Sequence, residues 1–311
     1  MIKYLKHNQI DKSRWDDCIE RSVNGIVYGY SWYLDIVHEG WDALIEEDYQ
    51  SVFPLTGQKK HGIEYLFQPF YTQQLGVFSV NHLTSDLIKE FLLAIPANYR
   101  FAEINLNTYN DISGLGLEVI EKQNFELDLV QPYDLLFKKY STNLKRNIKK
   151  AVKNKLLIVN NVKPEDVIQL FKVNKGKDIQ TLNETSYRIL NRLIFTAIHR
   201  GQAFASGVYN AENELLAGGF FMRSHQKIVF LFSATAFDAR NSGALHLLID
   251  QVVKDFSGQN VTLDFEGSND PNLARFYKSF GSNRCVYYQY NLNRLPWLIN
   301  LVLKIKKKII P

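Results

Sequence analysis

The chain carries one pattern twice, and this repeat limits the folds open to it. Residues 44–55 (LIEEDYQSVFPL) and 209–220 (YNAENELLAGGF) share one pattern, an acidic turn followed by a strand-like apolar run, and lie 165 positions apart. Two further pairs match in pattern: 62–70 with 227–235, and 100–107 with 260–267. A repeat of this length has the period of a domain rather than of a solenoid unit. It therefore predicts two similar α/β domains, with ligands bound in a cleft between them.

Composition fits this interpretation and excludes several classes of protein. A length of 311 residues suits two domains, and 46% hydrophobic with 22% charged residues is ordinary for a soluble chain. Two cysteines, Cys18 and Cys285, form no disulfide framework, and the seven histidines show no metal-ligand spacing. The N-terminus lacks an apolar signal core, and no apolar stretch is long enough to span a bilayer. We expect a cytoplasmic protein with no metal.

The second half predicts the element order β-α-α-β-β-β-α-β-α-β, and the first half has the same order more loosely. In the second half the periodicity is helical over 164–174, 185–200 and 243–256, and Asn269-Asp270-Pro271 signals the start of a short last helix. For the first half we predict strands at 2–5, 42–47, 50–56, 63–70, 101–107 and 125–137, and helices near 11–22, 31–39, 84–94 and 113–122. The predicted domains are 1–140 and 141–295, with a basic amphipathic tail at 296–311.

One loop of the second half carries a glycine between a strand and a helix. Its residues are Arg240, Asn241, Ser242, Gly243 and Ala244. Together with the element order, this loop resembles the GNAT acyltransferase fold, so we expect an α/β (α+β) protein with two tandem GNAT-like domains, each a mixed sheet flanked by helices. The resemblance implies that backbone N–H groups of the loop hold the pyrophosphate of acyl-CoA, the donor substrate. The alternative is a helix cap by Asn241 or Ser242.

A tyrosine of the last predicted helix also fits the GNAT pattern. That family often has a tyrosine four residues before a glycine, where it protonates the leaving thiolate, and Tyr277 precedes Gly281 by four. The resemblance implies that Tyr277 is a general acid. The alternative is a packed helix tyrosine.

The strand before that helix predicts two carboxylates on one face. Strand alternation places Asp264 and Glu266 together, with Leu263 and Phe265 on the opposite face. Carboxylates on a central strand are costly unless they face a cleft or have partners, so either one could accept a proton from an attacking amine. Alternatively, one of them pairs structurally with Arg275 or Arg240.

The segment LDFEGSNDPNLARFYKSFG (263–281) resembles a narrower group, the Fem-type (FemABX) peptidyltransferases and their acetyltransferase relatives. Members of that group carry two GNAT-like domains, and Fem enzymes move an amino acid from aminoacyl-tRNA onto a cell-wall precursor. This chain lacks the coiled-coil insertion that some members use for tRNA.

A basic helix is predicted between the two halves. Residues 136–156 contain eight basic residues and no acidic one, and Lys145, Arg146 and Lys149 lie on its polar side. Leu144, Ile148, Ala151 and Val152 are expected to face a core. Because unneutralised like charges repel by ~0.2–0.5 kcal/mol per i,i+4 pair, we expect an anionic ligand at 138–155: a nucleotide, tRNA or a lipid head group. A solvated basic face is the alternative.

Two other segments have candidate binding roles. In the first half, the amide-rich loop 68–76 offers hydrogen bonds to a peptide or amine substrate, unless it is simply a packed loop. Its candidate residues are Gln68, Tyr71, Gln73 and Gln74. The tail at 296–311 is too short to span a bilayer but has the composition of an interfacial helix, which would make the protein membrane-peripheral. A terminal helix docked on the protein is the alternative.

These features together predict an N-acyltransferase that moves an acyl group from acyl-CoA to an amine acceptor. A Fem-type aminoacyltransferase that uses aminoacyl-tRNA is one alternative. A non-catalytic binding protein with a degenerate GNAT fold is the other, because Leu245 stands where the GNAT loop has a small residue and Asn269 is one position out of register.

Overall fold

A computed structural model describes residues 1–267 and 269–297, which fall into two compact units. The first unit consists of Met1–Glu121 together with the chain from Tyr287 onward, and the second is Lys122–Val286. The domain limits expected from sequence stay a prediction. The predicted C-terminal tail lies outside the described residues except for its first two positions.

The first unit has three α-helices among its described residues: α1 (Lys12–Arg21), α2 (Ser31–Val37) and α3 (Ser85–Leu93). Its strands are β1 (Ile2–Leu5), β2 (Asp42–Glu46), β3 (Ser51–Leu55), β4 (Gly57–Lys60), β5 (Ile63–Leu66), β6 (Phe78–Ser79) and β7 (Tyr99–Asn105). One antiparallel sheet has the order β1-β2-β3-β6. In the other, β4 pairs with β5, β5 with β7, and β7 with residues 289–293 of the last strand.

The second unit contains six helices in its described part: α4 (Tyr133–Lys139), α5 (Thr142–Lys153), α6 (Pro164–Val173), α7 (Glu184–His199), α8 (Ala244–Phe256) and α9 (Pro271–Lys278). Its strands are β8 (Val119–Asp128), β9 (Leu157–Asn160), β10 (Ala203–Tyr209), β11 (Leu215–Ser224), β12 (Lys227–Thr235), β13 (Thr262–Asp264) and β14 (Asn283–Asn293), of which β8 and β14 continue into the first unit. The order β8-β13-β12-β11-β10-β9 is antiparallel except for the parallel pair β12–β13.

The sequence repeat corresponds to repeated strand pairing. The first pair of repeated segments forms two antiparallel hairpins, β2–β3 and β10–β11. The other two pairs of segments form the parallel neighbours β5–β7 and β12–β13. The units differ in the strand beside each hairpin, because β3 pairs with the short strand β6, whereas β11 pairs directly with β12.

The predicted element order of the second half is confirmed, but two elements predicted between the halves are wrong. No helix forms at 113–122, since Gly114 and Gly116 both have positive φ (76° and 70°) and β8 begins at Val119. The strand predicted at 125–137 ends at Asp128, and its second part is the helix α4. The first-half strand predicted at 63–70 is also shorter, ending at Leu66.

Burial of one face of α8 anchors the second unit. Leu248 and Val252 lie four residues apart on this helix and are buried in a cluster with Phe221 of β11 and Leu263 of β13. Full burial of such an aliphatic side chain stabilises the fold by about 1.5–3 kcal/mol. The helix is therefore held rigidly against the sheet, which positions its N-terminal loop. Among the described residues, no helix combines the length and apolar character that crossing a bilayer requires.

Candidate functional site

The glycine of the predicted donor loop has the conformation that only glycine adopts readily. Gly243 precedes α8 with φ +84°, and the hydroxyl of Ser242 accepts a hydrogen bond from the N–H of Ala244 at 3.1 Å. Ser242 also donates to the carbonyl of Ala239. Of the two capping residues considered from sequence, Ser242 therefore bonds the start of the helix.

The basic helix α5 packs against this loop. A Cβ added to Gly243 would overlap the main-chain oxygen of Asn147 and would lie 3.4 Å from Cβ of Ala151. Only a residue without a side chain permits this approach of α5 to α8. The two segments that sequence assigned to the donor and to an anionic ligand are therefore neighbours in space.

The second motif glycine has a similar neighbour. Gly281 lies just beyond α9 with φ +78°, and an added Cβ would lie 2.9 Å from Cβ of Lys139 at the end of α4. The N–H of Ser141 donates to the carbonyl of Ser279 at 2.9 Å. The turn between α4 and α5 is thus fixed to the end of α9, and both motif glycines serve close packing of this segment.

The charges of α5 have no carboxylate partners in the described part of the chain. Lys145 donates to the carbonyl of Lys138 at 3.1 Å and lies 5.3 Å from the centre of the Phe137 ring, while Arg146 donates to the side chain of Asn143. Lys149 is exposed. None of these three cations forms an ion pair within the described residues.

The predicted apolar face of α5 is confirmed with one exception. Leu144, Ile148 and Ala151 are buried in the core of the second unit, but Val152 is 61% exposed. Val152 stands about 100° around the helix from Ala151, which turns it out of the interface.

A buried ion cluster lies at the end of β13. Asp264 is 1% exposed, and its cross-strand neighbour on β8 is Glu126. Lys227 of β12 reaches both carboxylates, at 2.6 Å from Glu126 and 3.5 Å from Asp264. Burial raises the pKa of Asp264, and the ammonium of Lys227 opposes that shift. The partner of the predicted carboxylate is therefore Lys227 rather than Arg275 or Arg240.

The second predicted carboxylate is oriented by the first. The strand ends at Asp264, and Glu266 adopts a left-handed conformation with φ +56°. Its N–H donates to Oδ1 of Asp264 at 2.9 Å. Strand alternation therefore does not extend to Glu266. The hydrogen bond from the N–H of Glu266 to Asp264 instead holds the turn at the end of β13.

Tyr277 lies near both carboxylates. Its ring stacks on Phe265 with 5.0 Å between centroids. Burial raises the pKa of Tyr277, and the negative charges of Glu266 and Asp264 raise it further. The phenol is thus protonated throughout the physiological range and can donate a proton. The structure brings the three residues predicted as catalytic, Asp264, Glu266 and Tyr277, into one cluster.

Sequence reasoning missed four residues of this region. His246, in the first turn of α8, packs edge-on against Phe276 with 5.0 Å between ring centres, and burial lowers its pKa, which favours a neutral imidazole. Cys285 lies beside Glu126, and burial, assisted by that carboxylate, raises the pKa of its thiol to about 11. Lys227 and Glu126 were missed as well, since only strand register brings them to Asp264.

Arg240, the first residue of the predicted donor loop, is exposed at the surface. Its guanidinium stacks over Phe237 at 4.7 Å from the ring centre, and Phe237 itself is 65% exposed. Asn174, at the end of α6, stabilises the turn at Phe237, because its side-chain oxygen accepts from the N–H of Phe237 at 2.8 Å. Arg240 therefore offers an accessible cation next to the start of α8.

In the first unit, two of the candidate amides hold their own loop. The side chain of Gln68 accepts from the N–H of Asn105 and donates to the carbonyl of Thr72. Gln74 is buried and accepts from the N–H of Thr108. Both amides therefore satisfy backbone groups of their own unit.

The other two residues of that loop, Tyr71 and Gln73, are partly buried, as Gln68 is. Gln73 accepts from the amide of Gln74 at 2.7 Å. Tyr71 has φ +61°, and its carbonyl accepts from the hydroxyl of Tyr33. A substrate role for Gln68, Tyr71, Gln73 and Gln74 stays a prediction, and the packed-loop alternative accounts for their hydrogen bonds.

The fold of this chain is similar to those of several solved structures. FemX matches with a TM-score of 0.67 at 14% identity, over 94% of this chain and 98% of FemX. L-PGS from Bacillus licheniformis matches with a TM-score of 0.57 at 12% identity, over 95% and 96% of the two chains. A conserved protein of unknown function from Bacteroides thetaiotaomicron gives 0.60 at 10% identity, over 94% and 100%.

No protein-family model matches the sequence, and no curated protein matches it significantly. At identities this low the structural likeness shows the fold alone. The chain has a mixed α/β, GNAT-like fold of the Fem type, as the sequence predicted.

Proposed function

We propose that the second unit is a transferase that moves an acyl group from a thioester or ester donor to an amine. One observation carries the proposal: a protonated phenol, Tyr277, lies beside the carboxylates Glu266 and Asp264 in the same unit as the loop that starts α8. An acid and a base whose environments differ are what acyl transfer to an amine requires.

The chemistry assigns Glu266 and Tyr277 different roles. An amine forms a C–N bond with the acyl carbon, and Glu266 accepts the proton that the nitrogen loses. The bond from the acyl carbon to the leaving sulfur or oxygen then breaks, and Tyr277 donates its proton to that atom. General acid–base assistance of this kind contributes about 10²–10⁴-fold to a rate.

Asp264 serves best as a positioning residue. It is nine-tenths or more buried, it is bonded to Lys227, and its Oδ1 holds the N–H of Glu266. A buried and ion-paired carboxylate is a poor proton acceptor for a substrate, whereas Glu266 is only half-buried.

Acyl-CoA fits this site as the donor, with one restriction. The N-terminal end of α8 favours phosphate, and Arg240 adds an accessible cation beside it. However, the open side of Gly243 is filled by Asn147, so Gly243 is explained by helix packing and not by room for a phosphate.

A second candidate is a Fem-type aminoacyltransferase with aminoacyl-tRNA as donor. The specific observation in its favour is α5, whose cations Lys145, Arg146 and Lys149 have no ion-pair partners in the described chain and lie on the helix that contacts the donor loop. A polyanion would neutralise such a helix. The third hypothesis, a non-catalytic binding protein, predicts binding without turnover.

Thermal stabilisation by acetyl-CoA, CoA and longer acyl-CoAs tests the donor. Ligand at a hundred times its dissociation constant stabilises a protein by about 2.7 kcal/mol, which is a readable melting shift. We expect a shift that Arg240→Ala abolishes and that Arg192→Ala, a surface change on α7, leaves intact.

Absence of a shift with every CoA would reject acyl-CoA and direct the search to tRNA. In that case, binding of charged tRNA should weaken steeply with salt, and the slope should fall in a Lys145→Ala/Arg146→Ala variant. Binding of either donor without product from any amine would favour the non-catalytic hypothesis.

A further inference from the structure

A cavity lies along the C-terminal half of α8, at the other end of the helix from the donor loop. It has a volume of about 320 Å³ and is bordered by β9, β10, β11 and the C-terminal half of α8. The residues that line it include none of Asp264, Glu266 and Tyr277, so the cavity is distinct from the site around Tyr277.

One wall of the cavity is aromatic. Phe204 of β10 stacks on Phe256 at the end of α8, with 5.7 Å between ring centres and 27° between the planes. Ile158 of β9 and Val252 of α8 extend this wall. An apolar group of a ligand would be removed from water against these four side chains.

Two opposite charges border the same cavity without pairing. Arg223 is exposed and its guanidinium stacks over Phe256 at 5.2 Å from the ring centre. Asp255 accepts from the amide of Gln251 at 2.6 Å. Within the described residues neither Arg223 nor Asp255 forms an ion pair.

The negative side of the cavity is the carboxylate of Asp255. The last carbonyls of α8 are already bonded: those of Lys254, Asp255 and Phe256 accept from the hydroxyl of Ser257, the side-chain amide of Gln259 and the N–H of Gln259. The cavity thus has a cationic edge at Arg223, an anionic edge at Asp255, and an apolar wall.

From this arrangement we propose that the cavity binds a free α-amino acid with an apolar side chain. The carboxylate binds Arg223, the ammonium binds Asp255, and the side chain packs against the wall that Phe204, Phe256, Ile158 and Val252 form. The volume is at the small end of the range for ligand pockets, about 300–1,000 Å³, and suits a ligand the size of leucine or phenylalanine. The proposal is independent of the transfer reaction.

Calorimetric titration with three related ligands tests each contact. We expect saturable binding of L-phenylalanine at about 1 mM or tighter. N-acetyl-L-phenylalanine lacks the ammonium and L-phenylalaninamide lacks the carboxylate, so each should bind at least tenfold more weakly. The same set built on leucine tests whether an aliphatic side chain serves equally.

Two surface substitutions connect these differences to named residues. Arg223→Gln should weaken L-phenylalanine at least tenfold and remove the preference for the acid over its amide. Asp255→Asn should remove the preference for the free amine over its acetylated form. Arg192→Gln, on the outer surface of α7, is the matched control and should bind as the unmodified protein does.

Each variant is checked for an unchanged melting transition before titration. The proposal is overturned if neither amino acid binds saturably up to about 20 mM. It is equally overturned if binding occurs but is insensitive to Arg223→Gln and Asp255→Asn, or if a blocked derivative binds as tightly as the free amino acid.

Discussion

Gly243, at the start of α8, lies directly against the main-chain oxygen of Asn147 in α5. This contact joins the donor loop to the basic helix α5, although almost a hundred residues separate the two segments in sequence. It gives Gly243 a structural role that does not depend on any ligand. It also places the cations of α5, which form no ion pair within the described residues, on the helix that forms one side of the donor loop.

Gly243→Ala should destabilise the protein strongly. The left-handed conformation costs a residue with a Cβ about 1–2 kcal/mol, and the overlap with Asn147 adds an overpacking cost of about 1–3 kcal/mol. Gly258→Ala is the matched control, because Gly258 has a similar φ of +80° with no atom within 4 Å of an added Cβ. Urea unfolding should show a loss from the first variant that clearly exceeds the second. Equal losses would contradict the contact.

Lys227→Met should make stability depend on pH in a defined direction. Without the ammonium, the buried carboxylate of Asp264 and the partly buried carboxylate of Glu126 are left as neighbours. Because removing one partner of a fully buried ion pair costs about 3–5 kcal/mol, we expect a loss of up to this size. The folded-state pKa of Asp264 is already raised by burial and should rise further. The folded variant then binds more protons than the unfolded chain, so its stability should fall as pH rises through the folded pKa.

The measurement is the free energy of unfolding of Lys227→Met and the unmodified protein from pH 5 to pH 8. We expect the free energy of unfolding of Lys227→Met to lie further below that of the unmodified protein at pH 8 than at pH 5. Lys153→Met, which removes an exposed lysine of α5 that forms no ion pair within the described residues, should lower the free energy of unfolding only slightly and by the same amount at both pH values. If Lys227→Met lost the same free energy of unfolding at pH 5 and at pH 8, the result would argue against the ion cluster.

Tyr277→Phe should reduce turnover by about 10²-fold or more while the unfolding transition is kept. The substitution retains the ring that stacks on Phe265 and removes only the hydroxyl. Because burial and two carboxylates raise the pKa of Tyr277, the unmodified enzyme should show no alkaline loss of turnover from this group below about pH 10. Unchanged turnover would remove Tyr277 from the mechanism.

Glu266→Gln and Asp264→Asn should have different consequences. Glu266→Gln removes the proton acceptor at a half-buried position and should abolish turnover with little change in the unfolding transition. Asp264→Asn disturbs the partner of Lys227 and the turn at Glu266, so it should lower both stability and turnover. If Asp264→Asn lost turnover alone and Glu266→Gln kept it, the two assignments would have to be exchanged.

The outline of the fold could be predicted because its signals are local. Helices such as α7 and α8 bury one face, and their periodicity is present in the sequence itself. Where Gly114 and Gly116 interrupt a periodic stretch, the prediction of a helix at 113–122 was wrong. The left-handed conformation available to glycine outweighed a weak periodic signal.

The candidate site was predicted in part for the same reason. Tyr277 and Asp264 belong to one continuous segment, in which strand alternation singled out Asp264 and the resemblance to the GNAT pattern singled out Tyr277 as candidates. Lys227 and Glu126 stand on strands that are distant in sequence, and only the register of β12 and β8 against β13 brings them to Asp264. A one-residue change of that register would turn them to the opposite face.

The sequence by itself determined the repeat, the order of elements in the second half and the resemblance of residues 263–281 to known transferases, since each depends on the spacing of residues along the chain. Only the tertiary structure decided that Asn147 fills the open side of Gly243, that Lys227 pairs with Asp264, and that Arg223 and Asp255 border one cavity. These relationships depend on strand register and helix packing, which are set by the whole core and not by neighbouring residues.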